Sequence, residues 1–137
     1  MVPNAGFSAP ETAELWRPLA DDFEIVNVER QLAEPRSVLN LYRRLLARRS
    51  AAPALQQGSY RALDDVPEAC YTFLREFDED QILVTLNFPN RKQHLAMPSL
   101  DEAVIVVSTH LDRSGAVDPG ALSPRGNEGM IIEFIRS

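Results

Sequence analysis

The apolar positions of this chain change period twice along its length. Residues 1 to 34 hold no sustained period. They are broken by Pro3, Gly6, Pro10 and Pro18, yet carry scattered large apolar groups: Phe7, Leu15, Trp16, Phe23, Ile25, Val26 and Val28. Disordered tails are depleted in such residues, so the pattern predicts an irregular arm lying across another surface. From Pro35 the period becomes helical. Val38, Leu41, Tyr42, Leu45 and Leu46 fall at i, i+3, i+4, i+7 and i+8, with Leu39 widening the face. Arg36, Arg43, Arg44, Arg48 and Arg49 take the other side or the last turn, where a solvated cationic face is the default. The spacing predicts one amphipathic helix over residues 35 to 50, with Pro35 in its first turn and Pro53 as its stop.

Beyond residue 58 the period falls to two. The predicted strands are Ser59–Leu63, Cys70–Phe77, Gln81–Phe88, Lys92–Met97, Ala103–Ser108 and Met130–Ile135. Turn signals separate them: Asp64-Asp65, Asp78-Glu79-Asp80, Pro89-Asn90-Arg91, and a polar loop holding Gly115, Pro119, Gly120, Pro124 and Gly126. About six short strands in roughly 80 residues, without helices long enough for crossovers, predict an antiparallel Greek-key β-sandwich. The expected fold class is therefore mainly β. Its expected organisation is an arm over 1–34, a helix and linker over 35–57, and a β-sandwich over 58–137.

Charge and composition narrow the function by exclusion. With 137 residues and 45% hydrophobic content, the chain has room for one modest core. A net charge of −6 argues against a nucleic-acid surface. No apolar run reaches the roughly 20 residues of a membrane span, and the start lacks a signal-peptide pattern, so a cytoplasmic location is expected. Cys70 is the one cysteine; set among Ala69, Tyr71 and Phe73, it is expected to be a buried structural thiol.

No catalytic set converges in this sequence. His94 and His110 stand alone, and no Cys/His cluster has metal-ligand spacing, so neither metal nor cofactor is expected. Asp64-Asp65 and Asp78-Glu79-Asp80 lie in predicted turns. Adjacent carboxylates on extended chain, such as Asp21-Asp22 or Asp101-Glu102, point to opposite faces. Glycine-rich phosphate loops and Gly-x-Ser-x-Gly elbows are both missing. Trp16 could stack on a sugar if exposed, but the preferred expectation is a buried anchor of the arm.

Several motifs resemble a known family. Asn4-Ala5-Gly6-Phe7-Ser8, Leu15-Trp16-Arg17-Pro18-Leu19 and Val26-Asn27-Val28-Glu29-Arg30-Gln31 are similar to a stretch of α-glucosidase-type enzymes of glycoside hydrolase family 13. The likeness continues through Glu34-Pro35-Arg36-Ser37-Val38-Leu39-Asn40-Leu41-Tyr42-Arg43 to Pro53-Ala54-Leu55-Gln56-Gln57-Gly58-Ser59-Tyr60, and more loosely to Leu86-Asn87-Phe88. Glu34 stands where the family usually has Asp, a weaker helix cap. The resemblance implies that 35–50 is the last helix of a (β/α)8 barrel and 58–137 the C-terminal β-sandwich. The catalytic carboxylates would precede this region. It further implies that Asn4, Gly6 and Phe7 are substrate-proximal in the parent enzyme.

The leading expectation is a non-catalytic part that stabilises a catalytic barrel, inactive in isolation, with an α-glucan or oligosaccharide as the parent's ligand. One alternative is a carbohydrate-binding sandwich, which needs a row of exposed aromatics. Tyr60, Tyr71, Phe73, Phe77 and Phe88 are available, mostly at positions that read as internal. The other is an interaction domain that forms a homodimer through the helix face of 35–50.

Overall fold

The computed structural model describes residue 11, residues 15 to 97 and residues 102 to 135. Two compact units divide between Asn40 and Leu41. The elements in order are α1 (Val28–Ala33), α2 (Val38–Ala51), α3 (Pro53–Gln57), β1 (Ser59–Ala62), β2 (Cys70–Phe77), β3 (Asp80–Asn87), β4 (Glu102–Ser108), β5 (Gly115–Val117) and β6 (Glu128–Ile135). A mainly β, antiparallel fold preceded by helix is what the period change predicted.

The first unit is a helical corner held by polar side chains. The side-chain oxygen of Asn27 accepts from the Arg30 N–H at 2.9 Å and so caps α1. The expected arm thus contains a short helix. The hydroxyl of Ser37 donates to the Gln31 carbonyl at 2.6 Å and accepts from the Asn40 N–H at 3.2 Å. Gln31 Oε1 accepts from the Leu39 N–H, and Asn40 Nδ2 donates to the carbonyls of Gln31 and Glu34. Ser37 therefore caps the second helix. Pro35 lies in the turn before it, because a buried hydroxyl satisfies the open N–H groups better than the exposed Glu34 would. Trp16 is not the buried anchor expected of it: it is almost fully exposed, with the Arg17 guanidinium 5.0 Å from its ring centroid.

In the second unit the six strands form one antiparallel sheet in the order β1-β2-β3-β6-β4-β5. The last strand sits in the middle, between β3 and β4. Cys70, Leu74, Leu83, Ala103, Ile105, Met130 and Ile132 build the larger core on one face. Leu95 and Leu122 close it from chain outside the sheet. The Gln93, Leu95 and Met97 N–H groups donate to the Pro124, Leu122 and Pro119 carbonyls, at 2.8 to 3.0 Å. The predicted strand Lys92–Met97 is thus a single bridge, Leu95 to Leu122, in a thin second layer. Its partner runs through the segment read as a polar loop, which also contains β5. Prolines 119 and 124 limit that pairing, because each lacks a donor.

The other face carries a smaller core of Ala52, Ala54 and Ile82, flanked by Leu55, Phe77, Val84 and Ile131. Pro53 ends the long helical run as expected, but it also opens α3, where its missing N–H is harmless. Asp80 Oδ2 accepts from the Ala54 N–H at 3.2 Å, tying α3 to the start of β3. Gly58 follows: a Cβ there would lie 2.4 Å from the Ala54 carbonyl oxygen and 2.9 Å from that of Glu76. Only glycine lets α3 approach β2 so closely. Arg48 also forms an ion pair with Glu133 of β6.

Candidate functional site

A buried carboxylate is the strongest polar feature of the sheet. Glu128 opens β6 and is fully buried. A bulge in β4 between Ile105 and Val107 brings Ser108 opposite Met130. The extra residue turns Ser108 to the face that holds Met130 and Glu128. There its hydroxyl donates to Glu128 Oε1 at 2.6 Å. Arg113 donates to Oε1 at 2.9 Å and to Oε2 at 2.5 Å. Arg125 donates to Glu128 from its backbone at 2.7 Å and from its guanidinium at 2.8 Å, and clasps Asp112 at 2.5 and 2.9 Å.

Burial pushes the Glu128 carboxyl up. The hydrogen bonds from Arg125, Ser108 and Arg113 outweigh it and hold the group at about 2. The Arg125 guanidinium is raised above its ordinary value, first by Asp112 and then by Glu128. His110, Asp112 and Glu128 bring ligand atoms within 4.8 Å of one another, a spacing a metal could use. Two guanidinium groups already occupy those carboxylates, so the chemistry is that of an ionic lock for the loops and not of a metal centre.

Asn87 fixes the neighbouring turn. Its Nδ2 donates to the carbonyls of Arg91 and Arg125 at 2.8 and 2.7 Å. Gly126 passes so close to Asn90 that a Cβ would lie 2.3 Å from its carbonyl. Among the described residues that carry the family likeness, Asn27, Gln31, Ser37, Asn40, Gly58 and Asn87 thus build corners and close approaches.

Among the other residues weighed for chemistry, Cys70 is buried in β2 and its thiol is pushed up by burial. His94 is exposed, and the His110 ring lies 3.3 Å from the Asn127 carbonyl. Asn4, Gly6 and Phe7 lie outside the described residues. The Glu128 lock was not foreseen. Its one sequence signal is a glutamate opening the apolar run of β6, opposite arginines in a loop that reads as merely polar.

The aromatic residues read as internal divide in the structure. Phe73 and Phe77 are partly covered, but Tyr60 is 52% exposed and Tyr71 47%. The two phenol oxygens are 2.5 Å apart, and each ring tilts against Phe73, with centroids 5.2 and 5.6 Å away. The hydrogen bond to Tyr71 pushes the Tyr60 phenol up. On α2, Val38, Tyr42 and Leu46 are 65, 60 and 59% exposed, so the helix presents an uncovered apolar stripe.

Among the described residues, the fold is a helical corner and an antiparallel sheet, each held by structural polar residues. Known proteins resemble it in sequence and fold. No protein-family model matches the chain. It is 34% identical over 139 residues to the mouse amino acid transporter heavy chain SLC3A1, a match covering 95% of this chain and 20% of that one. It is 27% identical over 106 residues to a glucan 1,6-alpha-glucosidase of Streptococcus pneumoniae, covering 77% of this chain and 19% of the relative. The trehalulose synthase MutB of Pseudomonas mesoacidophila aligns with a TM-score of 0.72 at 25% identity, over 88% of this chain and 22% of that one. The chain is similar to a part of the α-glucosidase-type enzymes of glycoside hydrolase family 13, and spans about a fifth of the length of the curated relatives it matches.

Proposed function

We propose that the chain is the non-catalytic C-terminal part of an α-glucosidase-like enzyme of carbohydrate metabolism, and that it covers and stabilises a catalytic (β/α)8 barrel. The observation that carries this reading is the bare stripe of Val38, Tyr42 and Leu46 on a well-formed helix. An amphipathic helix is ordinarily held by packing of its apolar face, so such a stripe calls for a partner surface. In this reading residues 1–34 are the end of the barrel, 35–57 its last helix and linker, and 58–137 the terminal β domain.

Likeness to about a fifth of both a glucosidase and a transporter heavy chain supports a scaffold role, since proteins of different names share this part. The parent acts on an α-glucan or oligosaccharide, with Asn4, Gly6 and Phe7 near the sugar, and works in the cytoplasm. No described helix is long and apolar enough to cross a membrane.

The test joins the chain to a family barrel and compares it with Leu46→Asp and Tyr42→Asp. Both substitutions are expected to lower the barrel's thermal midpoint and activity while leaving the circular dichroism of the free chain intact. Clear turnover of maltose, sucrose or a nitrophenyl α-glucoside by the purified chain alone would sink the non-catalytic reading. A free chain that forms a stable homodimer through the 35–50 face, with a barrel indifferent to it, would replace the barrel with a second copy as the partner.

A further inference from the structure

One sheet face is roofed unevenly. By the β2–β3 register, Tyr71, Phe73, Arg75 and Phe77 share a face with Ile82, Val84 and Leu86. Around Phe77, Ile82 and Val84, Ala54 and Leu55 of α3 and Ala52 just before it give cover. Among the described residues nothing comparable covers Tyr71 or its neighbour Tyr60, which the β1–β2 register places opposite Arg75 on that face. Phe88, beyond the end of β3, is exposed as well.

Three properties make this more than a bare patch. First, the rings are held. The phenol–phenol hydrogen bond and the tilted packing on Phe73 fix both side chains, so little rotamer entropy remains to be lost on binding. Second, each hydroxyl keeps hydrogen-bonding capacity beyond the bond it shares, since a phenol both donates and accepts. Third, the charged groups of this face are tied down. The cation set by register beside Tyr60 is Arg75; its guanidinium keeps its charge but is anchored by a 2.8 Å hydrogen bond to the Gly58 carbonyl. Across the sheet, Glu133 is paired with Arg48. A neutral polyol with an apolar ring face would find both a stacking surface and hydroxyl partners.

We propose that the Tyr60–Tyr71 pair, floored by Phe73, is a binding site for a neutral α-glucosyl chain, one pyranose face stacking on a phenol ring and its hydroxyls bonding the paired phenol oxygens. The choice of glucosyl over other polyols rests on the family reading; the stacking surface rests on the rings alone. The site does no chemistry. It holds a chain near an enzyme that acts on such chains.

The experiment is isothermal titration of the chain with isomaltohexaose and maltohexaose, and with cellohexaose as the β-linked control. Millimolar binding of an α-linked chain is expected. Tyr71→Ala and Tyr60→Ala should each weaken it about tenfold, the equivalent of ~1.4 kcal/mol. Tyr71→Phe, which keeps the ring and loses the phenol–phenol bond, should weaken it less than Tyr71→Ala. Both tyrosines are exposed, so unchanged circular dichroism is expected for every variant. Absence of binding, equal binding of the β-linked control, or binding unchanged in the Tyr60→Ala/Tyr71→Ala double variant would each overturn the proposal. Failure here leaves the barrel reading standing if the chain still raises a barrel's thermal midpoint. Loss of that stabilisation with sugar binding intact would sink the barrel reading alone.

Discussion

Replacing Glu128 by Gln keeps the shape of the side chain and removes the charge that two arginines share. A carboxyl held at about 2 instead of its ordinary 4.5 contributes about 3 kcal/mol of folding free energy at neutral pH. The group is fully buried and takes at least five hydrogen bonds, so solvent screening does not discount that figure. Glu128→Gln also leaves Arg113 and Arg125 without their shared anion, which places the expected loss at about 3–5 kcal/mol. For a unit the size of 41–137, each kcal/mol moves the midpoint by about 4–8 °C, so a fall of at least roughly 12 °C is expected.

The pH dependence gives a second, independent reading. Because the folded carboxyl titrates below the unfolded one, its contribution is complete above about pH 4.5 and fades as the pH falls towards 2. Urea denaturation of parent and variant from pH 7 to pH 2 should therefore show a gap that is constant at high pH and narrows across that window. Other carboxylates shape the acid limb of both proteins, so the difference between the curves is what counts. A gap under 1 kcal/mol at pH 7, or one that does not narrow in acid, would refute the reasoning about the lock.

Three further outcomes follow from the packing. The Thr72 and Thr85 hydroxyls are buried and 3.0 Å apart, so Thr72→Val or Thr85→Val alone should cost about 1–3 kcal/mol by orphaning the other. The double Val variant should recover most of that loss, and a double-mutant cycle by urea denaturation checks the coupling. Gly126→Ala should destabilise by about 3 kcal/mol, because its Cβ would press on the Asn90 backbone, which cannot swing away as a side chain could; a thermal scan reads it. Ser37→Ala should cost the helical corner about 1 kcal/mol, seen as lowered far-ultraviolet helicity on heating, whereas Glu34→Ala should have little effect.

Much of this architecture was legible in the chain because periodicity is a local property. The 3.6-residue repeat of Val38, Leu41, Leu45 and Leu46 and the two-residue repeat of Ile82, Val84 and Leu86 each declare their element without reference to the rest of the fold. The glycine and proline positions likewise marked breaks, though not always what followed: Pro53 both ended one helix and began another.

What the sequence could not determine depends on partners distant along the chain. Whether Lys92–Met97 forms a ladder depends on the proline-limited segment opposite it, and only the folded chain brings the two together. The place of β6 between β3 and β4 arises from non-local pairing, so no turn signal announces it. A one-residue bulge, invisible in the alternation of β4, turned Ser108 towards Glu128 and made a lock of residues spread from 108 to 128. Tyr60 and Tyr71 fall at positions that alternate like core residues; α3 covers only part of their sheet face, and its reach is set by tertiary packing. Sequence alone determined the kinds of element. Tertiary structure decided which buried charge is paired and which rings remain bare, because burial and pairing depend on every segment that meets at a point.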